Sequence, residues 1–305
     1  MAAPTAPRAR APLDLLRFSA AAFVVLFHYK ANAPISLNEV SPVLARGWLA
    51  TDFFILLSGF VLGRAYGAKL DAGRIAPAPF FTRRALRVWP GHLMVLAGFA
   101  CMVAAAAAIG FAPPHPENYT SAEFWRQAAL VHGWSRGALD GWNGPTWTLS
   151  ALIVCYALFP LVWRASRRCE ARLAALGVAL LVVAVSALAC AALLGARLYD
   201  LDWGVVRALP LFTAGALLAR FAPALQLSGG RAALIVSASA AVFGLAQAAP
   251  PSPLADLTTI AAIGGVILGA DAWRGRSAWA AYAGELSFAL FLTHTLTGAV
   301  WFGAS

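Results

Sequence analysis

The sequence predicts an all-α bundle of membrane-crossing helices, and three observations predict it. Hydrophobic residues make up 61% of the 305 positions and charged residues only 12%, about half the charged share of a soluble domain. Apolar runs of roughly 18 to 25 residues recur along the whole length, each long enough to cross a bilayer as a helix. The basic residues are distributed unevenly between alternate connectors. A β-barrel would show short alternating segments, and none occurs.

Nine spans follow in order, over about 13–30, 47–66, 89–110, 145–163, 173–196, 203–220, 231–248, 254–272 and 279–301. Several hold Gly, Pro or Ser, which membrane helices tolerate. The segment 116–136 places Phe124, Trp125, Leu130 and Trp134 among polar residues. It is too polar to span and reads as a short amphipathic helix along the interface. No repeat or low-complexity linker divides the chain, so residues 1–305 read as one domain.

The basic residues also give an orientation. With the N-terminus cytoplasmic, sixteen fall on the inner side: Arg8, Arg10, Arg64, Lys69, Arg74, Arg83, Arg84, Arg87, Arg164, Arg167, Arg168, Arg172, Arg220, Arg231, Arg274 and Arg276. Five fall outside: Lys30, Arg46, Arg126, Arg136 and Arg197. The net charge of +10 is thus an expression of topology, and nucleic acid is not the expected partner. Arg8, Arg10, the apolar stretch 18–27 and Ala31-Asn32-Ala33 imitate a cleavable signal peptide, but Asp14 and Arg17 inside that region argue for a retained first helix. Of the four cysteines, Cys101, Cys155 and Cys190 lie in apolar runs while Cys169 does not. Their spacing matches no metal site, and small buried side chains are expected.

Ionisable residues inside spans cost at least about 2.5 kcal/mol each and mark candidate sites. Arg17 and His28 stand eleven residues apart on the first span, within about 20° of one helical face and roughly 16 Å apart in rise. Asp14 is in reach of Arg17 for a helical ion pair. Asp52 enters the second span at the depth of His28, where a carboxylate could fix the imidazole tautomer and raise its basicity; the plainer role is a helix cap. Arg84 and Arg87 share a helical face near Arg83, and three guanidinium groups there suit either a phosphorylated ligand or ordinary interfacial anchoring.

These residues resemble the acyltransferase-3 family of membrane acyltransferases, which O-acylate surface polysaccharides, peptidoglycan, Nod factors and macrolides. Leu13-Asp14-Leu15-Leu16-Arg17 through Phe27-His28 is similar to its opening segment, and Thr51-Asp52-Phe53-Phe54 to Leu57-Ser58-Gly59-Phe60 to its second-span signature. Arg84-Ala85-Leu86-Arg87 with Trp89-Pro90 resembles its Arg-x-x-Arg element. Pro145-Thr146-Trp147-Thr148-Leu149-Ser150, continued by Tyr156, Phe159 and Pro160, resembles its Pro-x-Trp-Ser-Leu-Ser motif. Arg207, Pro210, Phe212 and Gly215 follow its Arg-x-x-Pro-x-Phe-x-x-Gly pattern, and Glu285-Leu286-Ser287-Phe288 to Leu292-Thr293-His294 its late Ser-Tyr…Tyr-Leu-x-His segment. The chain departs from the family at Leu152, where many members carry glutamate, and it stops at Ser305 before a tenth, closing helix.

The resemblance implies a multi-pass protein of the bacterial inner membrane that transfers an acyl group, most simply acetyl, from acyl-CoA to a hydroxyl of a sugar or lipid-linked glycan. It implies no tightly bound cofactor and no metal. Arg84, Arg87 and Arg83 would hold the donor phosphates. His28 would act as general base with Asp52 and Arg17 behind it, and Arg207, Ser150, Trp147 and His294 are acceptor or oxyanion candidates. A lipid-linked sugar flippase, a small-molecule transporter or an inactive relative would use the same buried charges differently.

Overall fold

A computed structural model of the chain describes residues 11–30, 46–113, 115–135, 141–168, 172–198, 203–273, 275 and 277–303. The readings made above on Arg8, Arg10, Ala31-Asn32-Ala33, Arg136, Cys169, Arg274 and Arg276 lie outside the described residues. Among the described residues there are α-helices and 3-10 turns and no strand.

Among the described residues nine helices are long and apolar enough to cross a membrane. They are α1 (Ala11–Tyr29), α2 (Trp48–Asp71), α3 (Pro77–Ala108), α5 (Trp147–Ala165), α6 (Arg172–Leu194), α7 (Gly204–Phe221), α8 (Gly229–Ala248), α9 (Pro253–Ala272) and α10 (Ala278–Gly303). A tenth helix, α4 (Ser121–Ala128), is short. All nine predicted spans are present, with one large shift. α3 begins at Pro77, twelve positions before the predicted start at 89, because Pro77 opens it at a position that needs no N–H. Its 32 residues extend about 48 Å, well beyond a hydrocarbon core of about 30 Å.

The described chain forms two compact units. The first comprises residues 1–54, 222–250 and 258–291. Here Asp14 Oδ1 meets Arg17 Nη1 at 3.4 Å, the ion pair predicted from the spacing. Gly284 packs on Asp14, and Arg46 reaches the carbonyl of Gln247 at 2.9 Å and its Oε1 at 2.8 Å. Gly265 and Gly269 let α9 lie close against Ser239, Val236 and Ala232 of α8.

The second unit comprises residues 55–221, 251–257 and 292–305. Its centre is a close crossing of α2 and α7. A Cβ on Gly59 would overlap the carbonyl oxygen of Phe212, and one on Gly215 would overlap that of Leu56. Gly63 and Gly67 continue the same stripe against Ala219 and Trp163. Glycine at four-residue spacing lets membrane helices approach backbone to backbone, where dispersion and not the hydrophobic effect supplies the attraction. Phe60, Phe80, Phe159 and Phe212 fill the space around this crossing and are fully buried. Cys155 is buried, as expected, whereas Cys101 faces outward from α3.

Segment 116–136 forms the short helix expected of it and packs one side against α3. α4 is started by Thr120, whose hydroxyl accepts from Glu123 N. Trp125 is exposed, but Gln127, Leu130 and His132 are buried. The buried face is polar because it hydrogen-bonds α3: Trp89 Nε1 donates to Ala128 O at 2.8 Å, and His92 Nε2 lies 2.8 Å from Gln127 O.

Candidate active site

Within the first unit, α1 carries His28 in its last turn. His28 Nδ1 lies 2.9 Å from Val24 O. A carbonyl only accepts, so Nδ1 holds the proton and Nε2 keeps its lone pair. The backbone one turn earlier thus contributes to setting the tautomer. The His28 side chain is exposed, and Asp52 on α2 is buried at 1% exposure. Arg17 is half-buried and paired with Asp14.

Within the second unit, Arg83 and Arg87 are exposed while Arg84 is held. Arg84 Nη2 donates to Tyr66 Oη at 2.5 Å, and its guanidinium carbon lies 4.7 Å from the centre of that ring. Tyr66 rests edge-on against Phe80, so an aromatic wall fixes Arg84 and leaves its remaining donors available. Nearby cations are committed elsewhere. Arg167 Nε donates to Asp71 Oδ1 at 2.7 Å, and Arg220 stands 3.6 Å from Asp71 Oδ2 while stacking 4.1 Å over Trp163. Unlike Arg167 and Arg220, Arg84 and Arg87 form no ion pair among the described contacts.

The acceptor candidates also fall in the second unit, around the start of α5. Arg207 is buried at 5% exposure, with its guanidinium carbon 5.3 Å from the Trp147 ring. Ser150 is fully buried; its hydroxyl donates to Leu130 O at 2.7 Å and accepts from Gly133 N at 3.1 Å. Its one proton is committed to the fold. Trp134 Nε1 donates to Ser150 O at 3.1 Å, so a single residue clamps the segment Leu130–Trp134 three times. His294 is buried on α10, and the residues around it are tied to the same region. Asn143 Nδ2 donates to Leu292 O at 3.0 Å, and Thr295 Oγ1 donates to Asn143 Oδ1 at 2.8 Å.

Asn143 is the hub that sequence reasoning missed. Its N–H donates to Gln127 Oε1 at 3.0 Å, and its carbonyl accepts from Thr146 Oγ1 at 2.6 Å. A chain of neutral groups therefore runs from His92 through Gln127, Asn143 and Thr146 to His132, all buried. Burial pushes the His132 imidazole down to about 3, with His92 and Arg126 adding unfavourable positive charge. Among the described residues no group of three or more His, Cys, Asp or Glu could hold a metal ion.

Nine apolar spans, buried charge at a few motif positions and an all-helical framework define a multi-pass membrane protein. Residues 10–304 match the acyltransferase-3 family model, described as an acyltransferase domain, and the chain belongs to that family. It is 36% identical over 102 residues to protein 2 in the picA locus of Rhizobium radiobacter, covering 33% of this chain and 50% of that protein. It is 28% identical over 167 residues to the acyltransferase MdmB of Streptomyces mycarofaciens, covering 52% of this chain and 40% of that one. The chain thus spans half or less of the curated relatives it matches. No solved structure matches it.

Proposed function

We propose that the protein transfers an acyl group, most simply acetyl, from acyl-CoA to a hydroxyl of a sugar or surface polysaccharide. In this reading it sits in the bacterial plasma membrane with the N-terminus cytoplasmic. Arg84 and Arg87, with Arg83 beside them, bind the donor phosphates through charge-assisted hydrogen bonds. His28 Nε2 removes the proton of the acceptor hydroxyl, whose oxygen attacks the thioester carbonyl. The tetrahedral oxyanion is stabilised by a positive donor, for which Arg207 is the best candidate. Collapse breaks the C–S bond, the CoA thiolate takes the proton from the imidazolium, and an ester and free CoA leave. Asp52 and Arg17 support His28 electrostatically, while Trp147 and His294 line the acceptor side.

The observation that carries the reading is the fixed tautomer of His28: Nδ1–H is bonded to Val24 O, so an exposed imidazole offers Nε2 as a base at a membrane-helix end. Family membership and the name of the Streptomyces relative support the reaction class.

Comparison of surface glycans by mass spectrometry, with and without the gene, tests the reading. A lost acetyl-sized increment is expected, and unchanged glycans overturn the acceptor class. On purified protein, Arg84→Ala and Arg87→Ala each remove a contact worth about 1.5–3 kcal/mol and weaken CoA binding accordingly. Lysine at either position should rescue only part of it, because the planar fork is lost. CoA affinity unchanged in both alanine variants returns the pair to interfacial anchoring.

A further inference from the structure

The stretch that ends α2 and opens α3 carries charge that the protein does not balance. Positions 64–88 hold six basic residues, Arg64, Lys69, Arg74, Arg83, Arg84 and Arg87, against a single acid, Asp71. Both Asp71 oxygens are claimed from other helices: Arg167 Nε lies 2.7 Å from Oδ1, and Arg220 Nη2 lies 3.6 Å from Oδ2. No carboxylate pairs with Lys69 or Arg84 among the described contacts.

These two cations meet on one ring. The Arg84 guanidinium carbon stands 4.7 Å from the centre of Tyr66, and Lys69 Nζ stands 5.6 Å from the same centre. Both lie inside the roughly 6 Å at which a ring face attracts a cation. Two like charges gathered at one ring also repel, and a shared anion relieves that repulsion. The gathering is built into the fold. α2 ends in a Schellman closure, with Arg74 N bonded to Lys69 O at 2.8 Å, Gly73 N to Leu70 O at 3.1 Å, and Gly73 at φ 65°. This closure fixes the backbone of Lys69, three residues after Tyr66 and on the same helical face. Phe80 meets the Tyr66 ring edge-on at 5.2 Å and holds it from α3.

The Tyr66 hydroxyl completes the set. Its oxygen accepts from Arg84 Nη2 at 2.5 Å, which leaves its own proton to be donated. The described contacts give that proton no acceptor. Tyr66 and Arg84 are half-buried and Lys69 is exposed, so a ligand can reach the group from the surface. A phenolic O–H, a planar guanidinium and an ammonium together offer donors and positive charge. A phosphate, with several acceptor oxygens and negative charge, is their chemical complement.

We propose that Tyr66 and Lys69 belong to the donor site. The Tyr66 O–H and Arg84 donate together to a phosphate of acyl-CoA, and Lys69 adds its charge to the phosphate-bearing end of the same molecule. The assignment rests on the acyl-CoA reading above and extends it to two side chains outside the arginine cluster. Because the Tyr66 oxygen also holds Arg84 in place, these two side chains act as a unit.

The test reads CoA affinity of the purified full chain in detergent for wild type, Arg84→Ala, Tyr66→Phe, Lys69→Ala and the Arg84→Ala/Tyr66→Phe double variant. Tyr66→Phe keeps the ring and should weaken CoA roughly 10-fold or more, the usual scale for hydrogen bonds to charged groups. The double variant should lose clearly less than the product of its two singles. Lys69→Ala should cost roughly threefold, the scale of an exposed charge pair. Inorganic pyrophosphate is the second probe, and its inhibition constant against CoA should rise in Tyr66→Phe. CoA affinity intact in Tyr66→Phe but lost in Arg84→Ala overturns this proposal and leaves the donor reading standing; affinity intact in both overturns the two together. A pyrophosphate constant unchanged by Tyr66→Phe, or single losses that simply multiply in the double variant, also overturns it. Phosphatidylglycerol added to the micelles separates the other source of phosphate. Lipid binding that Tyr66→Phe removes while CoA affinity stays intact assigns the group to headgroups and overturns the proposal. CoA affinity unchanged in Lys69→Ala overturns it as well, and this exposed position decides the matter if Tyr66→Phe fails to fold.

Discussion

His28, at the end of α1, and His132, in the turn before α5, hold opposite tautomers for the same kind of reason. A backbone carbonyl takes the Nδ1 proton of the first, and a threonine hydroxyl receives the Nε2 proton of the second. Their surroundings then separate their uses. His28 is exposed, so a ligand at the helix end can approach its ring. His132 is sealed at 4% exposure and pushed down to about 3, far below the range in which a base works at neutral pH. The comparison teaches that exposure and neighbours, more than residue identity, decide which histidine a ligand can reach and which is sealed neutral among its hydrogen bonds.

The sharpest way to break this comparison is His28→Ala. Acyl transfer measured in membranes, with protein level controlled by immunoblot, should fall at least about 10²-fold, the usual contribution of a general base. The midpoint of unfolding should barely move, because the side chain is exposed. Substantial remaining activity removes His28 as the base.

Acid should act on the other histidine. Because the folded-state value of His132 is lowered, the unfolded chain binds a proton first as pH falls. Stability is then full above the ordinary value near 6.5 and declines from there toward about 3, by up to about 1.4 kcal/mol per pH unit. Chemical denaturation at pH 7.5, 6 and 5 checks this, and His132→Phe should flatten the slope. An unchanged slope in that variant assigns the acid sensitivity to other groups.

Ser150→Ala should cost about 1–3 kcal/mol in the same assay, since Leu130 O and Gly133 N would each lose a partner in a buried place. A loss near zero would show that the clamp is dispensable. The smallest effect expected is Leu130→Gly. Glycine relieves roughly 1 kcal/mol of left-handed strain but empties a fully buried position. The net loss should therefore fall below the roughly 2–5 kcal/mol of an ordinary leucine truncation. A full-sized loss would mean that the turn is not strained.

Much of the framework was legible before any coordinates, because lipid forces backbone groups to satisfy themselves within helices. The spans and the Asp14–Arg17 pair needed only period and length. Two further signals were present and unread. Gly59, Gly63 and Gly67 repeat every fourth residue on α2 and mark its tight face. His92 lies within an apolar run and carries the same signal as His28. The burial of Gln127 was not legible, since it looks like any surface glutamine until Asn143 and His92 are placed beside it.

The sequence by itself determined what must be local: nine apolar helices, their order, the clustering of arginines at Arg83, Arg84 and Arg87, and the position of His28 at a helix end. Only the tertiary structure decided which groups are sealed and which protons are where. Arg84 is fixed by Tyr66 from another helix, Ser150 gives its proton to a turn twenty residues earlier, and His132 is neutral because three elements bury it. Helix formation depends on neighbours within four residues, whereas hydrogen-bond direction and protonation depend on partners that only folding brings together.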